Sequence, residues 1–248
     1  YGYIKNVLYY LIRKADLIVC NSGFTSRMVV EIKDVPTNII PYGTPLEYKP
    51  IPLNNNPTKK ILCVGRIIER KGLIYLIQAM PKILDKCDAV LSIVGSGDPH
   101  IEWQLKQEIQ KFNLEDKVMF LGKLSNEALI EQYKKCDVFC LPAIIDSKGD
   151  TEGLGVVLLE ALNYGRPVVA SGVGGITDII KHEQTGLLAE QKNPSDLAAK
   201  LISILLDGKK AAKLAKQGCE YAKFQFSWEK IMDQWDRFYA QSKYHKKH

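Results

Sequence analysis

From residue 61 to residue 188 short apolar runs alternate with stretches of helical periodicity, and few architectures accept such a pattern. The apolar runs fall at 61–64, 89–94, 118–121, 138–141, 168–170 and 186–188. Between them, helical spacing is found at 73–84, 101–112, 126–135 and 155–163. Repeated strand–helix units of this kind fold as a parallel sheet covered on both faces. Their crossovers are right-handed. The expectation is a Rossmann-like, doubly wound α/β unit with six parallel strands. In such sheets ligands sit beyond the carboxyl ends of the strands, so chemistry is sought in the residues that follow each apolar run.

The texture differs on either side of this block. Residues 5–14 read as a helix, 17–20 as a strand and 24–32 as a second helix, before a loop rich in Pro and Asn that includes Pro41, Pro45, Pro50, Pro52, Asn54 and Pro57. Residues 46–57 suit an interdomain linker. After Pro194, helices are expected at 196–206, 210–224 and 228–240. Trp228, Ile231, Trp235 and Phe238 form one stripe of the last helix, and Ile4, Val7, Leu8 and Leu11 form a similar stripe on the first.

Composition narrows the classes. With 46% hydrophobic and 25% charged residues the chain has material for a packed core. No apolar run approaches the roughly 20 residues that span a bilayer. The chain opens without Met and without an apolar leader, which suits an excerpt of a longer protein. Net charge is +6, and residues 207–248 hold ten Lys/Arg against five Asp/Glu, so about +5 of it lies there. Either this is a solvated helical surface or it faces an acidic lipid or lipid phosphate. No recognition motif for nucleic acid accompanies it. Six cysteines without a C-x-x-C pair suit reduced thiols in a cytoplasmic protein, and the four histidines show no metal-ligand spacing with them.

Three clusters follow apolar runs. Gly65, Arg66, Lys71 and Gly72 lie between the first run and the next helix, where two cations beside a helix N-terminus make an anion site, or else a tight turn with solvated charges. Gly95-Ser96-Gly97 matches only the first half of a dinucleotide fingerprint, since His100 stands at the third glycine position; a plain turn lining a pocket suits it as well. The third cluster, residues 150–162, places Glu152 before an apolar helix and Glu160 inside it. A carboxylate in a buried helix is costly without a partner. Glu160 therefore needs either a structural ion pair or a ligand such as paired sugar hydroxyls.

On these residues the sequence resembles glycosyltransferase family 4. Glu152 and Glu160 match its E-x7-E motif; Gly65, Arg66, Lys71 and Gly72 match its G-R-(x)n-K-G element. The run Gly165-Arg166-Pro167-Val168, the pair Gly174-Gly175 and the run Thr185-Gly186-Leu187-Leu188 add to the match. The resemblance implies the C-terminal, donor-binding half of a two-domain GT-B enzyme that retains anomeric configuration. It implies that Arg66 and Lys71 hold the diphosphate of a UDP- or GDP-linked sugar, that Glu152 meets the transferred sugar, and that Glu160 binds the ribose diol. Amides at Gly153, Leu154 and Gly155 would cap the phosphate, Lys123 and Leu124 would lie against the base, and Gly95 would line the pocket. Catalytic roles fall to Glu152, Arg66 and Lys71. Neither a cofactor nor a metal is expected, since Asp146, Asp150 and Asp178 are isolated.

The resemblance also divides the chain. Residues 1–45 would be the remnant of an N-terminal acceptor domain, 58–206 the donor-binding domain, and 207–248 helices crossing back toward the first. The two apolar stripes would then meet beside the 17–20 strand. The acceptor, a glycan or a lipid-linked molecule, would require the rest of that first domain. The chain alone would bind donor without transferring sugar, in the cytoplasm or at the inner face of a membrane. Competing readings are a nucleotide-sugar binding module, or another GT-B enzyme such as an epimerase or a phosphorylase. A dehydrogenase would need the complete glycine fingerprint.

Overall fold

A computed structural model of the chain describes the backbone of residues 2–32, 34, 37–44 and 56–245, with side chains from 6 to 240 within those limits. The expected linker therefore lies almost wholly outside the described residues, as does the side chain of Ile4.

Residues 59–189 form the six-stranded parallel sheet. Its strands are β3 (Lys59–Val64), β4 (Ala89–Val94), β5 (Val118–Gly122), β6 (Val138–Leu141), β7 (Val168–Ser171) and β8 (Leu187–Ala189), in spatial order β5-β4-β3-β6-β7-β8. Side chains alternate across it as the pleat requires. Ile61, Cys63, Leu91, Val138, Cys140 and Val169 enter one core layer; Leu62, Val64, Phe139, Leu141, Val168 and Ala170 enter the other. The first layer is closed by α3 (Leu73–Leu84), α4 (Pro99–Lys111) and α8 (Pro194–Leu205). The second is closed by α5 (Asn126–Lys135), α6 (Val156–Asn163) and the short α7 (Ile176–Ile179). The first-layer side chains of α9 (Gly208–Phe226) are Ala211 and Leu214, and its second-layer ones are Ala222 and Phe226. Asp98, Ser125, Asn193 and Asp207 start α4, α5, α8 and α9 by accepting a backbone N–H of the first turn.

This strand order reverses direction between β3 and β6, because the chain runs outward from β3 to β5 and then returns to build β6 to β8 on the other side. Such a reversal leaves a crevice at the carboxyl ends of the two central strands.

The N-terminal residues make a smaller, separate sheet. In it β1 (Ile18–Cys20) pairs in parallel with β2 (Thr37–Ile39), preceded by α1 (Gly2–Lys14) and joined through α2 (Gly23–Val30). A capping box at Ser22 and Thr25 starts α2. Among the described residues, backbone hydrogen bonds tie this unit to the helices of the larger one. The Gly23 N–H donates to Asp178 Oδ2 at 2.7 Å, and the Thr44 N–H donates to the Phe226 carbonyl at 2.8 Å. At the second contact α10 (Trp228–His245) begins, and Gly43 lies so close to the Trp228 ring that a Cβ there would stand 2.7 Å from it.

The last helix meets the N-terminal unit there. Ile231 is buried and Trp235 partly so, but Val7, Leu8 and Leu11 on α1 remain exposed. The sequence pattern omits β2, α7 and the 3-10 turn at Glu69–Lys71, each only three or four residues long.

Candidate functional site

The site is built at the crevice between β3 and β6. The chain leaves β3 through Gly65, Arg66 and Ile67, enters the 3-10 turn Glu69–Lys71, and starts α3 after Gly72. Gly72 has φ +64 and sits against the end of β6, where an added Cβ would approach the Pro142 carbonyl oxygen to 1.9 Å. Only glycine allows that approach. It brings the turn up against the long loop that runs from Pro142 to Gly155.

All three residues of the turn bind this loop. Glu69 accepts from the Ser147 N–H at 2.9 Å and from its hydroxyl at 2.7 Å. The Arg70 carbonyl accepts from the Ile144 N–H at 2.9 Å, while its guanidinium reaches the Thr151 carbonyl at 3.2 Å, Glu152 Oε2 at 3.4 Å and Asp150 Oδ2 at 3.5 Å. Lys71 Nζ donates to the same Oε2 of Glu152. The side chains of Lys71 and Glu152 are only 10% and 13% exposed, so the pair lies in a partly dehydrated setting where charge–charge attraction exceeds that of a surface pair.

Three residues beyond Glu152, Gly155 opens α6 in a left-handed conformation, φ +87. The first amides of an α-helix lack partners within it; in α6 the Leu158 N–H is met by the Gly155 carbonyl at 2.8 Å. These amides lie at the positive end of the helix. The carbonyl of Glu152 is held from the far side by the Gly175 N–H at 2.9 Å. The β6–α6 loop is therefore fixed by the turn after β3 on one side and by the glycine turn after β7 on the other.

Glu160 sits in the second turn of α6 and has a different neighbour. Tyr133 of α5, buried to 1% exposure, donates its hydroxyl to Glu160 Oε2 at 2.6 Å. Burial raises the Glu160 carboxyl above the usual range, and the Tyr133 hydrogen bond opposes that rise. Burial, followed by the Glu160 charge, pushes the Tyr133 phenol well up, so it stays a donor. The ion-pair alternative for Glu160 is thus replaced by a neutral hydrogen-bond donor.

Of the remaining expected residues, Gly95, Lys123 and Leu124 follow β4 and β5, and Arg66 follows β3. Gly95 follows β4; a Cβ there would come within 2.0 Å of the Gly65 carbonyl, and its N–H donates to the Gly122 carbonyl at 2.8 Å. The Gly-Ser-Gly run therefore serves close backbone contact between the turns after β3, β4 and β5. Lys123 is exposed just beyond, and Leu124 is half-buried against the second core layer. Arg66 is exposed. The cation that joins Lys71 on Glu152 is Arg70, which sequence reading did not single out. Nor does the sequence single out Tyr133. Among the described residues no group of three or more His, Cys, Asp or Glu is arranged to hold a metal ion. No described helix is long and apolar enough to cross a membrane.

Over residues 46–221 the chain matches the family described as glycosyl transferases group 1. The chain belongs to that family. Within it, an uncharacterized glycosyltransferase of Methanocaldococcus jannaschii is 38% identical over 70% of this chain and 42% of its own length. The GDP-mannose-dependent alpha-(1-6)-phosphatidylinositol monomannoside mannosyltransferase of Mycobacterium tuberculosis is 30% identical over 72% of this chain and 46% of its own length. The chain thus spans under half the length of these curated relatives. Among solved structures, sucrose-phosphate synthase of Thermosynechococcus elongatus superposes with a TM-score of 0.83 at 30% identity, over 95% of this chain and 60% of that one. Anabaena HepE, solved with UDP-glucose, superposes at 0.82 and 24% identity over 95% of this chain and 67% of that one, which shows the shared fold. The parallel sheet with its flanking helices is that of the GT-B transferases.

Proposed function

We propose that this chain binds the donor of a retaining glycosyltransferase, a nucleoside diphosphate sugar linked to UDP or GDP. The observation that carries this reading is the meeting of Lys71, Glu152 and the N-terminus of α6 at the reversal point of the sheet. As the glycosidic bond of such a donor breaks, negative charge gathers on the departing diphosphate. Lys71, Arg66 and the amides at Gly153, Leu154 and Gly155 stabilise that charge without a metal. Glu152 meets hydroxyls of the transferred sugar, Glu160 takes the ribose diol, and the turn at Gly95, Lys123 and Leu124 lies against the base.

In the free protein Lys71 is neutralised by Glu152. A bound diphosphate shares Lys71 with it, and Arg70 stays on Glu152 as its second cation, which keeps the carboxylate directed at the sugar. The donors named for the M. tuberculosis relative and for HepE, GDP-mannose and UDP-glucose, suit such a site.

Residues 1–45 would belong to an acceptor domain, 46–57 to the linker, 58–206 to the donor domain and 207–248 to the helices that return to the first. The acceptor is a glycan or a lipid-linked molecule, and transfer by this chain alone is expected to be absent. The location would be cytoplasmic, with peripheral membrane contact through the basic C-terminal surface. The deciding experiment is a thermal-shift screen with UDP, GDP, ADP and their sugars. A ligand at 100 times its Kd stabilises by about 2.7 kcal/mol. No response to any nucleoside diphosphate would remove the proposal and favour a different GT-B activity.

A further inference from the structure

We propose that Tyr133 is the positioning residue through which Glu160 distinguishes a ribonucleotide from its deoxy counterpart, an inference that rests on the ribose role given to Glu160 above. The contact is short, 2.6 Å, and the phenol is buried to 1%. The ring has little freedom to turn. It stacks on Tyr164 with centroids 5.7 Å apart at 16°, and packs tilted on Phe139 at 5.7 Å. The helix that carries Tyr133 is also fixed. Arg166, fully buried, donates Nε to the Tyr164 carbonyl at 3.0 Å and Nη1 to the Cys136 carbonyl at 3.1 Å, which ties the end of α5 to the end of α6. The hydroxyl is therefore held at one point by its own surroundings.

A carboxylate has about four acceptor positions on two oxygens. One hydrogen bond from a rigid donor takes one position on Oε2 and removes rotation about the last side-chain bond. The free positions then point in one direction, as recognition of two adjacent hydroxyls requires. The same bond favours the ionised carboxylate against the burial that disfavours it. A Glu160 without Tyr133 could rotate and would accept a proton more readily, and both changes weaken a diol contact more than any other part of nucleotide binding.

The test compares UDP with 2′-deoxy-UDP, and GDP with 2′-deoxy-GDP, by calorimetry on the whole chain. The wild type is expected to prefer the ribo form of whichever base it binds. Tyr133→Phe should lower affinity for that ribo form about tenfold, as loss of one hydrogen bond to a charged group does. Affinity for the deoxy form should move by less than about twofold. A second variant guards against misfolding of the first. Glu160→Asp keeps the charge but withdraws it from the Tyr133 hydroxyl, and should show the same selective loss, with no further effect of Tyr133→Phe in that background. Equal losses for ribo and deoxy forms, or an unchanged preference in both variants, would overturn the role of Tyr133 alone. A wild type without any ribo preference would instead remove the ribose role of Glu160, and this inference with it.

Discussion

The ammonium of Lys71 rests on the carboxylate of Glu152, 81 residues further along the chain. Neither residue could reach the other from its own element. Gly72 presses the turn after β3 against the end of β6, and Gly175 fixes the backbone of Glu152 from the opposite side. Two strand ends that adjoin only because the sheet reverses between them thus become one charged site. A polyphosphate entering the crevice meets a cation already placed, so little side-chain ordering has to be added on binding.

Lys71→Ala and Arg66→Ala should weaken nucleoside diphosphate binding by about tenfold or more each, because a hydrogen bond to a charged group contributes about 1.5–3 kcal/mol. Binding of the corresponding nucleoside should change little. Calorimetry with UDP and uridine, or GDP and guanosine, separates the two. Equal losses for both ligands would show that neither cation addresses phosphate.

Arg70 acts on Glu152 and on the loop behind it, so its loss should affect the sugar rather than the diphosphate. For Arg70→Gln we expect UDP or GDP to bind within about twofold of the wild type, while the sugar-linked form loses about fivefold to tenfold. If the variant loses both ligands in proportion, Arg70 is part of the phosphate site and the division of labour given above is wrong.

On the proposed reading donor binding should not depend on a divalent ion, since cations of the chain and the positive end of α6 would offset the diphosphate charge. Isotherms recorded in EDTA and in magnesium should overlay. A strict requirement for magnesium would count decisively against the cationic mechanism.

Glu160 also makes stability depend on pH. Its folded-state carboxyl is raised by burial, so over the range between its unfolded and folded values the folded chain holds the proton longer. Stability from this group is present at low pH and is lost as pH rises through that window. Glu160→Gln removes the titration while leaving an oxygen to accept from Tyr133. Its melting temperature should therefore gain on the wild type over the span that starts near the ordinary glutamate range, about pH 4, and ends at the raised folded value. Parallel melting curves across that span would show that the buried carboxyl carries no such cost.

Much of this architecture is legible in the sequence, and the exceptions have physical causes. β6 and β7 are buried on both faces, so each reads as an unbroken apolar run with clear ends. Glu152 and Glu160 stand out because carboxylates flanking and entering an apolar helix are costly. Arg70 does not stand out. It lies in a three-residue turn, where no period distinguishes a residue facing Glu152 from one facing water. Tyr133 is equally silent, since one aromatic on an amphipathic helix reads as core, and its hydroxyl meets a residue 27 positions later only because α5 and α6 cover the same face of the sheet. The Gly95 run is legible as a turn, but its contact with the Gly65 carbonyl depends on the register of β3 and β4.

The apolar stripe of α1 is not covered by the large sheet. Val7, Leu8, Tyr10 and Leu11 are 40%, 52%, 61% and 57% exposed, and they recur at spacings that place most of them along one side of the helix. Scattered apolar residues on a surface need no explanation, but a contiguous patch of a few hundred Å² favours association. α10 meets the N-terminal unit at Gly43, through Trp228, and these α1 side chains remain exposed. The chain alone should therefore self-associate reversibly as its concentration rises, with the dimer fraction growing at high salt, since screening weakens repulsion between the basic ends of the two copies. Leu8→Glu combined with Leu11→Glu should keep it monomeric without lowering its melting temperature by more than a few degrees, because both side chains are already in water. Sedimentation velocity on both proteins decides the matter: a wild type that stays monomeric across the concentration series, or a double variant that associates equally, would show that this face is not the one that seeks a partner.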